Sequence, residues 1–388
     1  MTDVDGQDPA TLIPRQPAPD GDTPPAPVPA VAAPDTTAEV TGVTGAVAAA
    51  PVPAAPAPIR PAGLRRLLPW VIGLVALAAG FGLQTQLYTG EERTVTTVFM
   101  FVGLAAAWNL LGGYTGYASF GQVGFFGLGG YATVVVMVHG QLSFWLALPV
   151  AAAVAGGFAA LVGWPLLRLR GHYFAVATLG VAEGLREVLT NLPRLTGGGA
   201  GITIPSVGPD APTRWLGNDG FYILFLVLAA FVVATVALIA TTPAGYALRA
   251  IHQDEEAAAA MGINTTVAKT LVFAGSAALT GMIGAAYAFQ QVTIYPERMF
   301  DVDITVLMVV MVVLGGSGTV LGPVLGAIAV AYASEWLRQH FTRGHTFVLG
   351  ALIILAVILL PQGFTNYVRD ATKSRRFSLL ENVRRYRL

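Results

Sequence analysis

Between Leu67 and Phe364 the chain is a succession of apolar runs, most of them near the roughly 20 residues that a helix needs to cross the hydrocarbon of a bilayer. Runs of this kind leave few folding options. In lipid the backbone cannot hydrogen-bond to water, so each run satisfies its own N–H and C=O groups by coiling. Spans are read at 68–88, 94–111, 122–139, 145–167, 172–190, 220–241, 267–290, 303–320, 321–338 and 346–364. The expected fold is therefore all-α, a polytopic membrane helix bundle of about ten spans. Two stretches are candidates for broken or re-entrant segments. One is SFGQVGFFGLGG, Ser119 to Gly130, where glycines weaken a helix and Gln122 is polar. The other is LGGSGTVLGP, Leu314 to Pro323. Non-helical backbone at that depth survives only inside protein or along a wet cavity.

Composition agrees. The chain is 54% hydrophobic and 11% charged, against roughly a quarter charged in soluble domains. Residues 1–62, rich in Pro and Ala with scattered Asp, carry too little large apolar surface to fold and read as a disordered cytoplasmic tail. Residues 63–366 form the transmembrane domain, and 367–388 a basic cytoplasmic tail. The start lacks the basic region and apolar run of a cleaved signal, so the first span acts as an uncleaved anchor. Arg60, Arg65 and Arg66 before that span put the N-terminus inside, and an even number of spans returns the basic C-terminal tail to the same side. The expected location is the cell's inner (plasma) membrane, multi-pass, with both termini cytoplasmic.

Absent motifs exclude whole classes. There is no cysteine, hence no disulfide or thiolate metal site. No phosphate loop, G-x-G-x-x-G run, nucleophile elbow or H-E-x-x-H spacing occurs. The sequence therefore offers no catalytic residues, no cofactor or metal site and no nucleic-acid partner. Any ATP-driven step belongs to another subunit.

One polar island stands out, Gly245 to Asn264, GYALRAIHQDEEAAAAMGIN. Asp254 is placed to cap a short helix, with Glu255 and Glu256 in the first turn opposing the positive end of its dipole. Gly262 is placed to close it in the left-handed conformation. Ala257, Ala258 and Met261 are expected to form one small apolar face fit for docking. The alternative is an ordinary loop helix resting on the bundle. Inside the fifth span, Glu183, Arg186 and Glu187 share a helix face, either as an internally paired triad or as a polar lining of a path or partner contact. Small-residue stripes at Ala277, Gly281 and Ala285, at Thr280, Gly284 and Ala288, and at Gly318, Gly322 and Gly326 mark close helix approach.

The island and its flank, RAIHQDEEAAAAMGINTTVAKTLVFAGSAALTGMIGAAYA, resemble the cytoplasmic loop and following span of permease subunits from branched-chain amino-acid ABC importers. WNLLGGYTGYASFGQVGFFGLGGYAT (Trp108 to Thr133) and RGHYFAVATLGVAEGLREVLTNLPRLTGGGAGI (Arg170 to Ile202) resemble the same permeases in the same order. MVVLGGSGTVLGPVLGA and the closing LLPQGF agree. The likeness runs from about Leu67 to Phe364 and favours the LivM-like type, a type that urea and amide importers share. It implies cytoplasmic ATPase subunits, a second permease subunit and an extracytoplasmic substrate-binding protein as partners in the lipid bilayer. It also implies that Asp254, Glu255, Glu256, Ala257, Ala258, Met261 and Gly262 form the segment coupled to the ATPase. Gln122 stands where the family commonly has His. Ser119, Gln122, Glu183, Arg186 and Glu187 are thus candidates for pathway or packing roles. Two other readings stay open: an ion-gradient-driven secondary transporter, and a non-transporting membrane scaffold.

Overall fold

The computed structural model describes residues 80–82, 84, 89–204, 217–341, 344–359, 363–365 and 367. The tail 1–62, almost all of the expected span 68–88, residues 205–216 and nearly all of the basic tail 367–388 lie outside the described residues. The described chain is helical apart from two short strands. Its helices are α1 (Thr89–Thr115), α2 (Gln122–Val138), α3 (Phe144–Leu166), α4 (His172–Thr190) and the one-turn α5 (Pro193–Thr196). They continue with α6 (Gly217–Thr241), α7 (Pro243–Gln253), α8 (Glu255–Ala260), α9 (Thr265–Gln291), the one-turn α10 (Pro296–Met299), α11 (Val302–Gly315), α12 (Leu321–His340) and α13 (His345–Leu359). Among the described residues, four helices are long and apolar enough to cross a membrane: Gly90–Thr115, Phe144–Leu166, Asp219–Thr241 and Thr265–Gln291.

The two most enclosed of these, α1 and α9, form the centre. α9 is flanked by α2 and α3, and α1 by α6, α11 and α12. The stripes predicted in α9 are the reason the helices sit so close. A Cβ on Gly281 would lie 2.6 Å from the Ala155 Cβ of α3, and one on Gly284 would lie 2.0 Å from the Phe126 carbonyl oxygen of α2. α3 runs antiparallel to α9, with Phe144 stacked on Phe289 at one end and Gly163 against Phe273 toward the other. Where lipid removes the hydrophobic drive between helices, close van der Waals contact of this kind holds them.

The glycine-rich stretch from Ser119 to Gly130 corrects the expectation of a broken or re-entrant segment. The backbone is non-helical only from Gly116, at φ +77°, to Gly121, and α2 then runs unbroken through Gly124, Gly127, Gly129 and Gly130. These glycines do not break the helix because neighbours occupy the space a side chain would need. A Cβ on Gly129 would lie 2.3 Å from the Gly281 carbonyl oxygen, and one on Gly127 would run into the Phe300 ring. The second candidate does break: α11 ends at Gly315 and α12 begins at Leu321. The two helices fold back on each other, so close that a Cβ on Gly326 would lie 1.9 Å from the Met311 carbonyl oxygen. Gly318 therefore belongs to the turn, at φ +71°, and not to the helical stripe with Gly322 and Gly326. Asn109 of α1 pins this turn, donating to Thr319 O at 2.8 Å and accepting from Gly318 N at 3.0 Å.

At the end of α9 remote from α8, Ile202 and Thr203 (β1) pair antiparallel with Ile294 and Thr293 (β2). This ties the chain that follows α4 to the chain that follows α9.

Candidate functional site

The polar island folds as two helices. α7 starts on Pro243, whose fixed φ suits a first helical turn, and buries Gly245, Leu248 and Ile251. Asp254 then turns extended, at φ −158°, and starts α8. Its carboxylate accepts from Glu256 N at 2.9 Å and Ala257 N at 3.0 Å, satisfying two of the free N–H groups of the first turn. At the other end Gly262 adopts φ +87°. Its N–H donates to Ala259 O and that of Ile263 to Ala258 O, at 2.9 and 3.2 Å. Asn264 next caps α9, accepting from Val267 N at 3.1 Å. The chain thus leaves one helix, makes α8 and enters the next within a few residues.

The three expected apolar residues do not share a face. Ala258 is fully buried, whereas Ala257 is exposed and Met261 is 70% exposed. The helical 100° step explains the split: Met261 returns over Ala257, while Ala258 points away toward the bundle. The two glutamates also diverge. Glu256 is exposed and meets Arg170 Nη1 at 3.1 Å. Glu255 turns inward and is not free to meet a basic partner.

Glu255 is held by a buried network that the island alone does not reveal. Lys269, in the second turn of α9, has a side chain only 4% exposed, and that of Glu255 is 19% exposed. The ammonium donates to Glu255 Oε1 at 2.6 Å, to Tyr117 OH at 3.0 Å and to Leu167 O at 3.1 Å. All three of its donors are thereby used. The Tyr117 hydroxyl donates to Glu255 Oε2 at 2.6 Å. One ammonium therefore joins α8, the α1–α2 turn and the end of α3. Burial pushes the Glu255 carboxyl up, but the bonds from Lys269 and Tyr117 and the Lys269 charge outweigh it and hold the group below the usual carboxylate range. The bond to Glu256 and the nearby Glu255 charge raise the Arg170 guanidinium above its ordinary value. A lone lysine at the third position of the apolar run 267–290 was the signal that could have found this network, since an ionisable group in a span pairs or faces water.

Ser119 and Gln122 both lie in the interior, essentially fully buried. Trp108 donates to Ser119 O at 2.7 Å. Gln122 donates to Ser276 Oγ at 2.9 Å and Thr280 Oγ1 at 2.7 Å, fastening α2 to α9. Ser276 passes the chain on to Ala107 O of α1. Glu183, Arg186 and Glu187 also meet: Arg186 Nη2 bonds Glu183 and reaches Glu187 Oε1 at 3.3 Å. They lie along α4, and their side-chain ion pairs are with one another.

The fold and this site define a helical integral membrane protein, with a capped helix docked at one end of the bundle between two of its helices. The chain belongs to the family described as branched-chain amino acid transport system / permease component, whose model matches residues 92–357. It is 30% identical over 327 residues to the high-affinity branched-chain amino acid transport system permease protein LivM of Escherichia coli K12, covering 78% of this chain and 76% of that one. The LivH permease protein of the same system and organism is 25% identical over 292 residues, 69% of this chain and 92% of that one. The probable LivM of Methanocaldococcus jannaschii is 24% identical over 212 residues, covering 51% and 61%. No solved structure matches. The chain is accordingly a transport permease of the ABC type and not an enzyme.

Proposed function

We propose that this chain is the LivM-type membrane subunit of an ATP-driven importer for branched-chain amino acids, and that α8 receives the stroke of a separate cytoplasmic ATPase. The family match and the LivM relatives support the solute class. The observation that carries the coupling role is the anchoring of α8 by Glu255 to Lys269 and Tyr117, with Lys269 in turn bonded to Leu167 O, which joins a short solvent-facing helix to three elements of the bundle. A force on the exposed Glu256, Ala257 and Met261 side of α8 passes through this buried ion pair into α9, and not only along the chain. The loop-helix alternative gives no reason for a buried lysine whose three donors join this helix to two other elements of the bundle.

In this reading the transmembrane domain covers residues 63–366 with about ten spans, both termini are cytoplasmic, and 1–62 and 367–388 are tails. The partners are two ATPase subunits, a second permease and an extracytoplasmic substrate-binding protein. Gln122 and Ser119 serve the packing of α2 and not the solute path, consistent with their burial.

The test is purification of the full chain from its own membranes, with mass spectrometry of what accompanies it and uptake of leucine, isoleucine and valine into vesicles. Recovery of an ATPase and a second permease, with uptake that needs ATP, is the expected result. Uptake by the chain alone that follows an ion gradient would replace this reading with a gradient-driven carrier.

A further inference from the structure

α3 is the least enclosed of the four long apolar helices. Its buried residues, Ala147, Ala151, Ala155, Ala159 and Gly163, recur every four positions along one side, and the helix packs on α9 and α2. The opposite side carries Val154, Gly157, Leu161 and Trp164 at helical spacing, all exposed. Arg168, one turn past Trp164, continues that stripe, and its Cζ lies 4.2 Å over the Trp164 ring.

Two exposed tryptophans fix the depth of this stripe. Trp145 stands at the β1–β2 end of α3 and Trp164 at the α8 end, 54% and 57% exposed. Nineteen residues separate them, about 28 Å at 1.5 Å per residue, against roughly 30 Å of hydrocarbon. Tryptophan collects at the two membrane–water interfaces, so Val154 to Leu161 lie in the hydrocarbon and Trp164 at its border. Arg168 comes about 6 Å further along, inside the headgroup layer, which adds roughly 5–7 Å on each side. Among the described residues no carboxylate pairs with Arg168. Arg170, in the same turn, gives Nη1 to Glu256 at 3.1 Å and keeps the rest of its exposed guanidinium fork.

We propose that this corner of the bundle binds an anionic phospholipid. The headgroup phosphate sits against Arg168, with Arg170 beside it, and an acyl chain lies along Trp164, Leu161 and Gly157. Charge and depth together select this occupant. An unpaired guanidinium at headgroup depth attracts a net negative charge, whereas a zwitterionic headgroup brings its own cation to its phosphate. A free anion in solution has nothing to lay against Leu161 and Trp164. A guanidinium lying over an indole still presents N–H groups at its edge, in the fork that suits phosphate. The bond from Arg170 to Glu256 then connects the lipid headgroup to α8. This site requires only that α3 crosses the membrane, and it stands apart from the importer reading.

Trp164 is a reporter inside the proposed site. The full chain, with the partners it retains on purification, is placed in phosphatidylcholine vesicles holding a small share of lipid with brominated acyl chains, which quench tryptophan on contact. The share of Trp164 is the difference between the chain and its Trp164→Phe variant, and that of Trp145 is read in the same way. Brominated phosphatidylglycerol should quench Trp164 about fivefold more than the same share of brominated phosphatidylcholine, the factor one basic residue at an anionic surface contributes. Arg168→Gln alters an exposed side chain that touches only the Trp164 ring, so the fold is spared. It should remove most of the excess, and Arg168→Gln with Arg170→Gln the rest. Equal quenching by the two lipids overturns the proposal, as does an excess that survives the double change or appears equally at Trp145. A Trp164 that neither lipid quenches is covered by protein, and that result overturns it too.

Discussion

Replacing Lys269 with methionine keeps an unbranched side chain but removes the ammonium that holds α8. Glu255 is left in a site where its side chain is 19% exposed, with the Tyr117 hydroxyl as its remaining hydrogen-bond donor and the Arg170 charge acting on it without a bond. Removing one member of a buried ion pair costs about 3–5 kcal/mol. Water reaches Glu255 in part, so about 3 kcal/mol is the working value. Little else ties α8 down. Asp254 and Gly262 shape its ends through backbone bonds local to the helix, and Ala258 is the buried residue of the helix. The Arg170–Glu256 pair is exposed on both sides and contributes under about 1 kcal/mol. The loss should therefore appear as local undocking and not as global unfolding. At 1.4 kcal/mol per factor of ten, about 3 kcal/mol raises the undocked fraction about 150-fold. Ala258→Cys gives the readout, since position 258 is fully buried when docked and the chain has no other thiol. Where reclosing outruns labelling, the maleimide rate follows the undocked fraction. Lys269→Met should speed labelling about 100-fold, and Lys269→Met combined with Glu255→Met should bring it back within about tenfold, because no orphan charge remains. An unchanged rate in the single variant, or a double variant as fast as the single, would refute the argument.

Other outcomes follow from the same geometry. The Glu255 carboxyl is held low in the folded state, so its contribution is fully present above its ordinary value of 4.5 and fades as pH falls through the depressed one. Thiol labelling at position 258, taken at each pH relative to a freely exposed cysteine so that the loss of thiolate cancels, should accordingly stay flat from pH 8 to about 5 and rise only under stronger acid. Gly262→Val meets no neighbour within 4 Å but must hold φ +87°, a strain of about 1–3 kcal/mol. Uptake should fall while ATP hydrolysis by the complex continues, and normal uptake at normal expression would count against the role of α8. Gly284→Ala puts a methyl 2.0 Å from the Phe126 carbonyl oxygen and should cost about 1–3 kcal/mol, seen as a lower melting temperature in detergent. Asn109→Ala frees the turn between α11 and α12 from its two hydrogen bonds, and protease cleavage near Thr319 should become faster.

The local chemistry of α8 was legible because it is local. A carboxylate two or three residues before free N–H groups and a glycine past the last turn are read from adjacent letters, and both ends stand where the sequence put them. The stripes of α9 were legible as contact surfaces, but not their occupants, since period alone cannot say that Gly281 meets α3 and Gly284 meets α2. Two readings went astray for the same reason. Glycines in α2 looked like helix breakers because their cost is intrinsic, whereas the close contacts that repay it come from Gly281 and Phe300, more than 150 residues away. Ala257 and Ala258 looked equivalent because nothing in the sequence says which side of a six-residue helix meets the bundle. The role of Lys269 is not readable locally, because Tyr117 and Leu167, its partners besides Glu255, are 152 and 102 residues distant.

Gly129 on Gly281 and Gly284 on Phe126 bring two main chains together with no side chain between them. Most helix pairs can accommodate a shift by changing rotamers, but here there are no rotamers to change. α2 and α9 are therefore geared together, and α3, interlocked with α9 through Ala155 and Gly281, turns with them. A push delivered at the Lys269 end must emerge at the β1–β2 end at nearly its full amplitude. Any motion of this block against the rest of the bundle would have to be taken up at its edges, where it meets α1 and α4, and not within it.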